Sequence, residues 1–186
     1  MADGALTIGV VSDTHVPRRA RRLPPELLRA LREARVDHVL HAGDLVDMSV
    51  LEQLSAIAPV SAVAGNMDGW DTALQLPRRR IVSLGGVAIG LTHGDEGRGP
   101  DTPTRAFSVF ADDEVAAVVF GHSHMPFCQW REGRLLFNPG SPTDPRRQPS
   151  PTYGLLRIHV GALDADAVAE RSQSPRLSGE LLRLAP

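Results

Sequence analysis

No lysine occurs in these 186 residues; all 20 basic side chains are arginine. The chain therefore has no lysine to form a Schiff base, act as a general base or bind phosphate in a P-loop. Cysteine is almost as scarce. Cys128 stands alone, which excludes an intramolecular disulfide and a cysteine-rich zinc knuckle. Neither sign of charge dominates. The 22 acidic residues leave a net charge of -2, so nothing draws the chain as a whole to nucleic acid or to an anionic membrane, and any phosphate binding must be local. Long apolar runs are missing too. Ala5 to Val11 is too short to span a bilayer and has no basic region before it. A cytoplasmic location is the expectation.

What is present fits one domain over residues 1–186, with a core at about 6–160 and an extension at 161–186. A chain of this size buries roughly 70% of the surface its unfolded form exposes, so it needs no covalent staple to fold. Ala5 to Val11 is a near-continuous, β-branched apolar run, suited to a strand covered on both faces. Pro24-Pro25 then opens a helical pattern at Leu27, Leu28, Ala30, Leu31 and Ala34. A strand at Asp37–His41, a helix around Met48–Ala56 and a strand near Val60–Ala64 continue the alternation, which implies parallel crossovers. Beyond residue 75 the rhythm changes. Arg80–Leu84 and Val87–Leu91 flank Gly85-Gly86 as a hairpin. A helix is expected over Thr102–Ala111, capped by Asp101 or Thr102. An apolar strand follows at Val115–Phe120, then a second hairpin around Glu132-Gly133 and a strand at Tyr153–Val160. The segment Asn138–Pro151 holds five prolines and reads as an irregular loop.

The polar residues able to bind a cation fall just after these strands. Asp13 and His15 follow the first, Asp44 the second, and Asn66 and Asp68 the third. His93 follows the first hairpin, and His122 and His124 follow the Val115–Phe120 strand. In an open α/β sheet the carboxyl ends of the strands line one crevice, so residues spread over more than a hundred positions converge there. Asp13, His15, Asp44, Asn66, His93, His122 and His124 would form a nitrogen and oxygen shell without thiolate. Such a shell suits Mn, Fe, Zn, Co or Ni. Seven ligands are too many for one tetrahedral ion but serve two ions if one carboxylate bridges them. Two ions ~3.5–4 Å apart clamp the attacking and leaving oxygens of a displacement at phosphorus.

Asp13-x-His15, Gly43-Asp44, Gly65-Asn66-x-Asp68, His93-Gly94 and Gly121-His122-x-His124 resemble, in order, the motifs of the calcineurin-like metallophosphoesterases. The short length and Asn138-Pro139-Gly140-Ser141 are similar to the small YfcE-type phosphodiesterases. The resemblance spans roughly residues 6–160 and implies a four-layer α/β/β/α sandwich with mixed sheets. It implies that Asp13, His15, Asp44 and His124 hold one divalent ion. Asp44, Asn66, His93 and His122 would hold the other, with Asp44 bridging and manganese the leading candidate. Asp44, Asn66 and His93 then carry the catalytic role, and the nucleophile is a hydroxide between the ions. Many relatives have a proton-donating His after the Gly-Asn pair; here Met67 stands there, whose thioether has no proton to give. A bias towards acidic leaving groups follows. Asp95 replaces a second His that relatives often show after His-Gly.

The expected function is hydrolysis of a small phosphodiester, without membrane or stable nucleic-acid partners. Alternatives are a scaffold that kept the fold and gave up turnover, as in the retromer subunit of this architecture, or a phosphomonoesterase. Many relatives are dimers or tetramers, so a homo-oligomer is a further expectation of the resemblance. His41 reads as a structural histidine, and His38 and His159 as surface residues. Asp68 reads as orienting its neighbours. The arginines at 18, 19, 21 and 22 and at 78–80 read as solvated.

Overall fold

The computed structural model describes residues 4–160 and 176–184. Gly4–Val11 forms β1, in which Ile8 and Val10 face one side and Val11 the other. Helix α1, Pro25–Glu33, starts with proline in its first turn and buries Leu27 and Leu31. Then come β2 at His38–His41, α2 at Ser49–Ser55, β3 at Val60–Ala62 and α3 at Trp70–Gln75. Strands β4 (Arg79–Leu84) and β5 (Val87–Thr92) make the first hairpin. Its turn uses Gly85 and Gly86 at φ 55° and 78°, the left-handed region open to glycine. Helix α4 covers Thr102–Val109, with Asp101 accepting the Thr104 N–H as its cap. Strands β6 (Ala117–Val119), β7 (Phe127–Arg131), β8 (Arg134–Asn138), β9 (Thr152–Val160) and β10 (Leu177–Arg183) complete the order.

Two five-stranded mixed sheets result. The first runs β10-β9-β1-β2-β3 and the second β4-β5-β6-β8-β7. Strands β1, β2 and β3 are parallel, as are β5, β6 and β8; the remaining pairings are antiparallel. Side-chain alternation sorts the apolar residues into three clusters. Ile8, Val10 and Leu40 meet Ile89, Leu91, Val119 and Phe137 between the sheets. On the outer face of the first sheet, Leu27, Leu31 and Leu54 pack on Val11 and Val39. On the outer face of the second, Ala106 of α4 and Phe110 just after it cover Val118 and Leu136. The layers are thus helix, sheet, sheet, helix, the sandwich the resemblance implied. Each fully buried Leu or Phe removes enough apolar surface to contribute about 1.5–3 kcal/mol before entropy is counted.

Three elements depart from the sequence reading. Helix α3 was not anticipated: its six residues have no side-chain cap, and Trp70 and Leu74 point to solvent, so no apolar stripe marks it. Strand β10 lies inside the stretch read as an extension, yet it pairs along β9 from Leu177↔Ile158 to Arg183↔Thr152. As an edge strand it carries Gly179, Glu180 and Arg183, which hide the signal of a strand. Helix α4 ends at Val109, two residues short of Ala111. Among the described residues, no helix is long and apolar enough to cross a membrane.

Candidate metal centre

Every candidate ligand lies just past the carboxyl end of a parallel strand: Asp13 and His15 after β1, Asp44 after β2 and Asn66 after β3. On the second sheet His93 follows β5, and His122 and His124 follow β6. Backbone bonds tie the loops together. The Asp13 and His15 N–H groups donate to the carbonyls of Gly43 and Asp44 at 3.0 and 2.9 Å, and the Gly121 N–H donates to the His93 carbonyl at 2.9 Å. The sheets are joined where the His122 N–H donates to Asp13 Oδ1 and Oδ2 at 3.2 and 3.0 Å.

The side chains then form an unbroken series. His124 Nε2 lies 3.4 Å from Asp13 Oδ1 and 3.2 Å from His15 Nε2. Asp44 Oδ2 lies 3.8 Å from His15 Nε2 and 3.3 Å from His93 Nε2. Asn66 Oδ1 is 3.2 Å from His93 Nε2 and 3.0 Å from His122 Nδ1. Two sets of ligand atoms fall within 4.8 Å of one another: Asp13, His15 and His124, and Asp13, Asp44 and His93. All seven positions are therefore brought together, with Asp13 common to both compact sets.

Two of the rings are oriented by what their other nitrogen touches. His93 Nδ1 donates to the Ala42 carbonyl at 2.8 Å, and His124 Nδ1 donates to the Asp144 carbonyl at 2.6 Å. A neutral imidazole whose Nδ1 carries the proton presents a bare Nε2 lone pair. Nitrogen lone pairs and buried carboxylates facing one another are a donor set that suits a borderline divalent cation. The field has the matching sign. Burial alone would lower the pKa of His93, but its bond to Asp44 and the charges of Asp13 and Asp44 raise it to about 9. Burial lifts the Asp13 carboxyl to about 6 despite the opposing His93 charge. In the metal-free protein His93 therefore holds a second proton on Nε2, towards Asp44, which a cation bound there would displace.

Backbone geometry marks the same residues. Asp13, His15, Asp44, His122 and His124 all have φ between 45° and 66°. Side chains other than glycine avoid that region, at about 1–2 kcal/mol each. Five such residues in one pocket indicate that the fold imposes their placement. Supporting residues hold it. Asp68 accepts N–H bonds from Gly65, Asp44 and Val46 at 2.7, 3.1 and 2.6 Å, so both of its oxygens are engaged in orienting its neighbours. The Asn138–Ser141 segment backs the pocket: Asn138 Nδ2 donates to the Gly121 carbonyl at 2.7 Å and Ser141 Oγ to the Asp13 carbonyl at 2.8 Å. Asn138, Ser141 and Asp144 were not picked out as supports. Their only sequence signal was a short motif at the start of a proline-rich loop.

His41 is fully buried; its Nε2 lies 3.1 Å from Thr14 Oγ1 and its Nδ1 accepts the Gly43 N–H. Burial drives its pKa down to about 3. The unfolded chain takes up this proton near pH 6.5 and the native chain does not, so acid favours unfolding. Between about pH 7.5 and 5.5 this residue should remove about 1.4 kcal/mol of stability from the metal-free protein. Urea unfolding at both values should show a loss that is smaller by about that amount in His41→Gln. An equal loss in the two proteins would refute the assignment.

Other residues lie elsewhere. His38 is half-buried on Ser61 Oγ at 3.0 Å rather than free at the surface, whereas His159 is exposed. Asp95 pairs with Arg78. Arg19 binds Asp144 at 3.2 Å, and Trp130 and Cys128 pack on the inter-sheet core while Trp70 is 77% exposed.

Residues 6–161 match the family model of the calcineurin-like phosphoesterase superfamily domain. A probable metallophosphoesterase of Methanothermobacter thermautotrophicus is 38% identical over 164 residues, covering 88% of this chain and 92% of that protein. Among solved structures, vacuolar protein sorting 29 of Cryptosporidium parvum superimposes with a TM-score of 0.75 at 20% identity, covering 97% of this chain and all of that one. A structure described as a novel archaeal phosphodiesterase gives a TM-score of 0.65 at 20% identity, covering 95% of this chain and 100% of that one. At these identities the two structures speak for the shared fold.

Proposed function

The chain belongs to the calcineurin-like phosphoesterase superfamily, a family of metal-dependent phosphoesterases, and from that premise we propose that it is a cytoplasmic phosphodiesterase dependent on two divalent cations, with manganese the leading choice. The observation that carries this reading is the pair of compact ligand sets sharing Asp13 at the seam of the two sheets. Asp13, His15 and His124 would hold one cation. Asp44, Asn66, His93 and His122 would hold the other, and Asp44, whose Oδ2 lies 3.8 Å from His15 Nε2 and 3.3 Å from His93 Nε2, would serve both. Bound cations supply an acidified water as nucleophile and positive charge for the phosphoryl oxygens.

The chain's own residues supply orientation. Ala42 and Asp144 fix the tautomers of His93 and His124 through their carbonyls, so both rings present Nε2 without a search over ring flips. The Met67 N–H donates to Asp44 Oδ1 at 2.7 Å, leaving Oδ2 to face His93. The Met67 side chain is 42% exposed beside Asn66 and can neither give nor take a proton. The departing alcohol must therefore leave as an alkoxide or take a proton from water. Across a series of aryl phosphodiesters the rate should fall by about threefold or more for each unit rise in leaving-group pKa. A flat series would count against a missing acid.

The decisive experiment combines metal analysis with hydrolysis of bis(p-nitrophenyl) phosphate in added Mn, Ni, Co, Zn or Mg. Metal-dependent release of p-nitrophenol supports the reading. A metal-loaded protein without turnover on any ester would favour a scaffold role instead, which the likeness to vacuolar protein sorting 29 and the Met67 substitution make the second reading.

A further inference from the structure

Between the first turn of α4 and the loop after His124 lies a cleft of about 400 Å³, lined by Pro103, Arg105, Ser123, Met125, Pro126 and Phe127 among others. Ser123 stands between His122 and His124 in the chain, so the cleft shares a loop with two of the candidate ligands. A few polar groups over apolar walls is the usual make-up of a small-molecule site, and the volume is in the range of such sites. Met125 is 57% exposed there, an apolar side chain not committed to the core.

Arg105 is the cation of this cleft. Its Nε donates to the Gly94 carbonyl at 3.4 Å and its Nη2 to Thr102 Oγ1 at 3.1 Å. Both acceptors are neutral. Among the described residues no carboxylate lies within ion-pair distance of Arg105, whereas Arg19, Arg78 and Arg79 each have one. The guanidinium is thus placed next to the loop of His93 without a direct ion pair, its acidic neighbour in the cleft being the exposed carboxylate of Asp101. An arginine held by neutral oxygens with a donor to spare is suited to an anionic phosphoryl oxygen.

Resting on the phosphoesterase reading above, we propose that Arg105 and this cleft form the substrate-recognition subsite. The guanidinium contacts a non-bridging phosphoryl oxygen, and the walls of Pro103, Met125 and Phe127 accept an aromatic or similarly apolar ester group. The preferred substrates are then phosphate esters that carry such a group on the His122 side of the pocket.

Phenylphosphonate and methylphosphonate test this without any turnover, by calorimetric titration into manganese-loaded protein. The wild type should bind the phenyl compound about tenfold more tightly, or about 1.4 kcal/mol. Met125→Ala should narrow that preference to about twofold while leaving methylphosphonate affinity alone. Arg105→Gln should weaken both ligands about tenfold with manganese content unchanged, and Arg105→Lys should recover part of the loss. Equal affinity of the wild type for the two compounds, or no binding of either, overturns the subsite. Unchanged binding in Arg105→Gln overturns the phosphoryl contact, as would loss of manganese in that variant, which would make Arg105 a prop of the His93 loop. A protein that binds in the expected pattern but hydrolyses no phosphate ester would sink the enzymatic reading and leave this subsite standing.

Discussion

Asp44→Asn is expected to lower kcat/KM for bis(p-nitrophenyl) phosphate by about 10³-fold or more, equivalent to about 4 kcal/mol of transition-state stabilisation. The substitution keeps the shape of the side chain. Its Oδ1 can still accept the Met67 N–H, so the loop after β2 should hold its course. What changes is Oδ2, which lies 3.3 Å from His93 Nε2 and 3.8 Å from His15 Nε2. An amide there has no charge to share with a cation and turns a donor towards nitrogens that should themselves be donating electron pairs. Removing the carboxylate also takes away the support that raises His93 to about 9, so its pKa should fall. Three readouts separate the effects: bound metal should drop, turnover should collapse, and the metal-free protein should lose stability at neutral pH, where His93 no longer has this carboxylate to hold its proton. Full turnover in the variant would show that Asp44 is not part of the reacting centre.

Phe137→Ala should produce the largest loss of stability, about 3–5 kcal/mol, and a fall in thermal midpoint on the order of 10 °C. Phe137 is fully buried between the sheets. Its ring lies against two glycines of the facing sheet: a Cβ on Gly154 would stand 2.3 Å from Phe137 Cε1, and one on Gly179 would stand 2.8 Å from Cδ2. The ring therefore takes space that side chains in β9 and β10 would otherwise fill, and its removal leaves a cavity that rigid strands cannot close. The same geometry predicts a sign change. Gly154→Ala should destabilise the wild type by overpacking but be neutral or helpful once Phe137 is Ala, with a coupling of about 1–3 kcal/mol. Additive effects in that cycle, measured by urea unfolding, would show that ring and glycine do not compete for space.

Much of the architecture was legible because burial writes itself into the chain as periodicity. Ala5–Val11 reads as a two-faced buried strand, and β1 does bury Val10 inward and Val11 outward. Leu27 and Leu31 read as one helical face and form it. Where burial is partial the signal fails. Trp70 and Leu74 of α3 face water, and β10 interleaves Glu180 and Arg183 with its apolar residues, so neither segment had a pattern to read. The packing of one sheet on the other came from the family resemblance, since alternation says which residues are buried but not against what.

At the site, residue types and their place after each strand were enough to select seven positions that the fold gathers in one pocket. The finer arrangement was hidden. Asp13 falls in both compact sets, and five of the ligands have left-handed backbone, a conformation that Asp and His tolerate better than most residues but that sequence alone does not assign to these positions. Asn138, Ser141 and Asp144 reach the site through hydrogen bonds to backbone or ring atoms of residues 17, 128 and 20 positions away. A polar residue in a proline-rich loop gives no sign of that from its neighbours.

Asp13, His15, Asp44 and Asn66 stand on one sheet, and His93, His122 and His124 on the other. On the proposed ligand set, a guest ion works as a clasp across the mouth of a bivalve. An ion held by that set would grip both shells, so its binding energy would oppose their separation as well as local fraying. Occupancy would add RT ln(1 + [M]/Kd) to the free energy of opening, about 2.7 kcal/mol at a hundredfold excess over Kd. A chelator should then loosen the molecule along this line first, exposing the inner faces of β1 and β5 to hydrogen exchange before the outer helices let go.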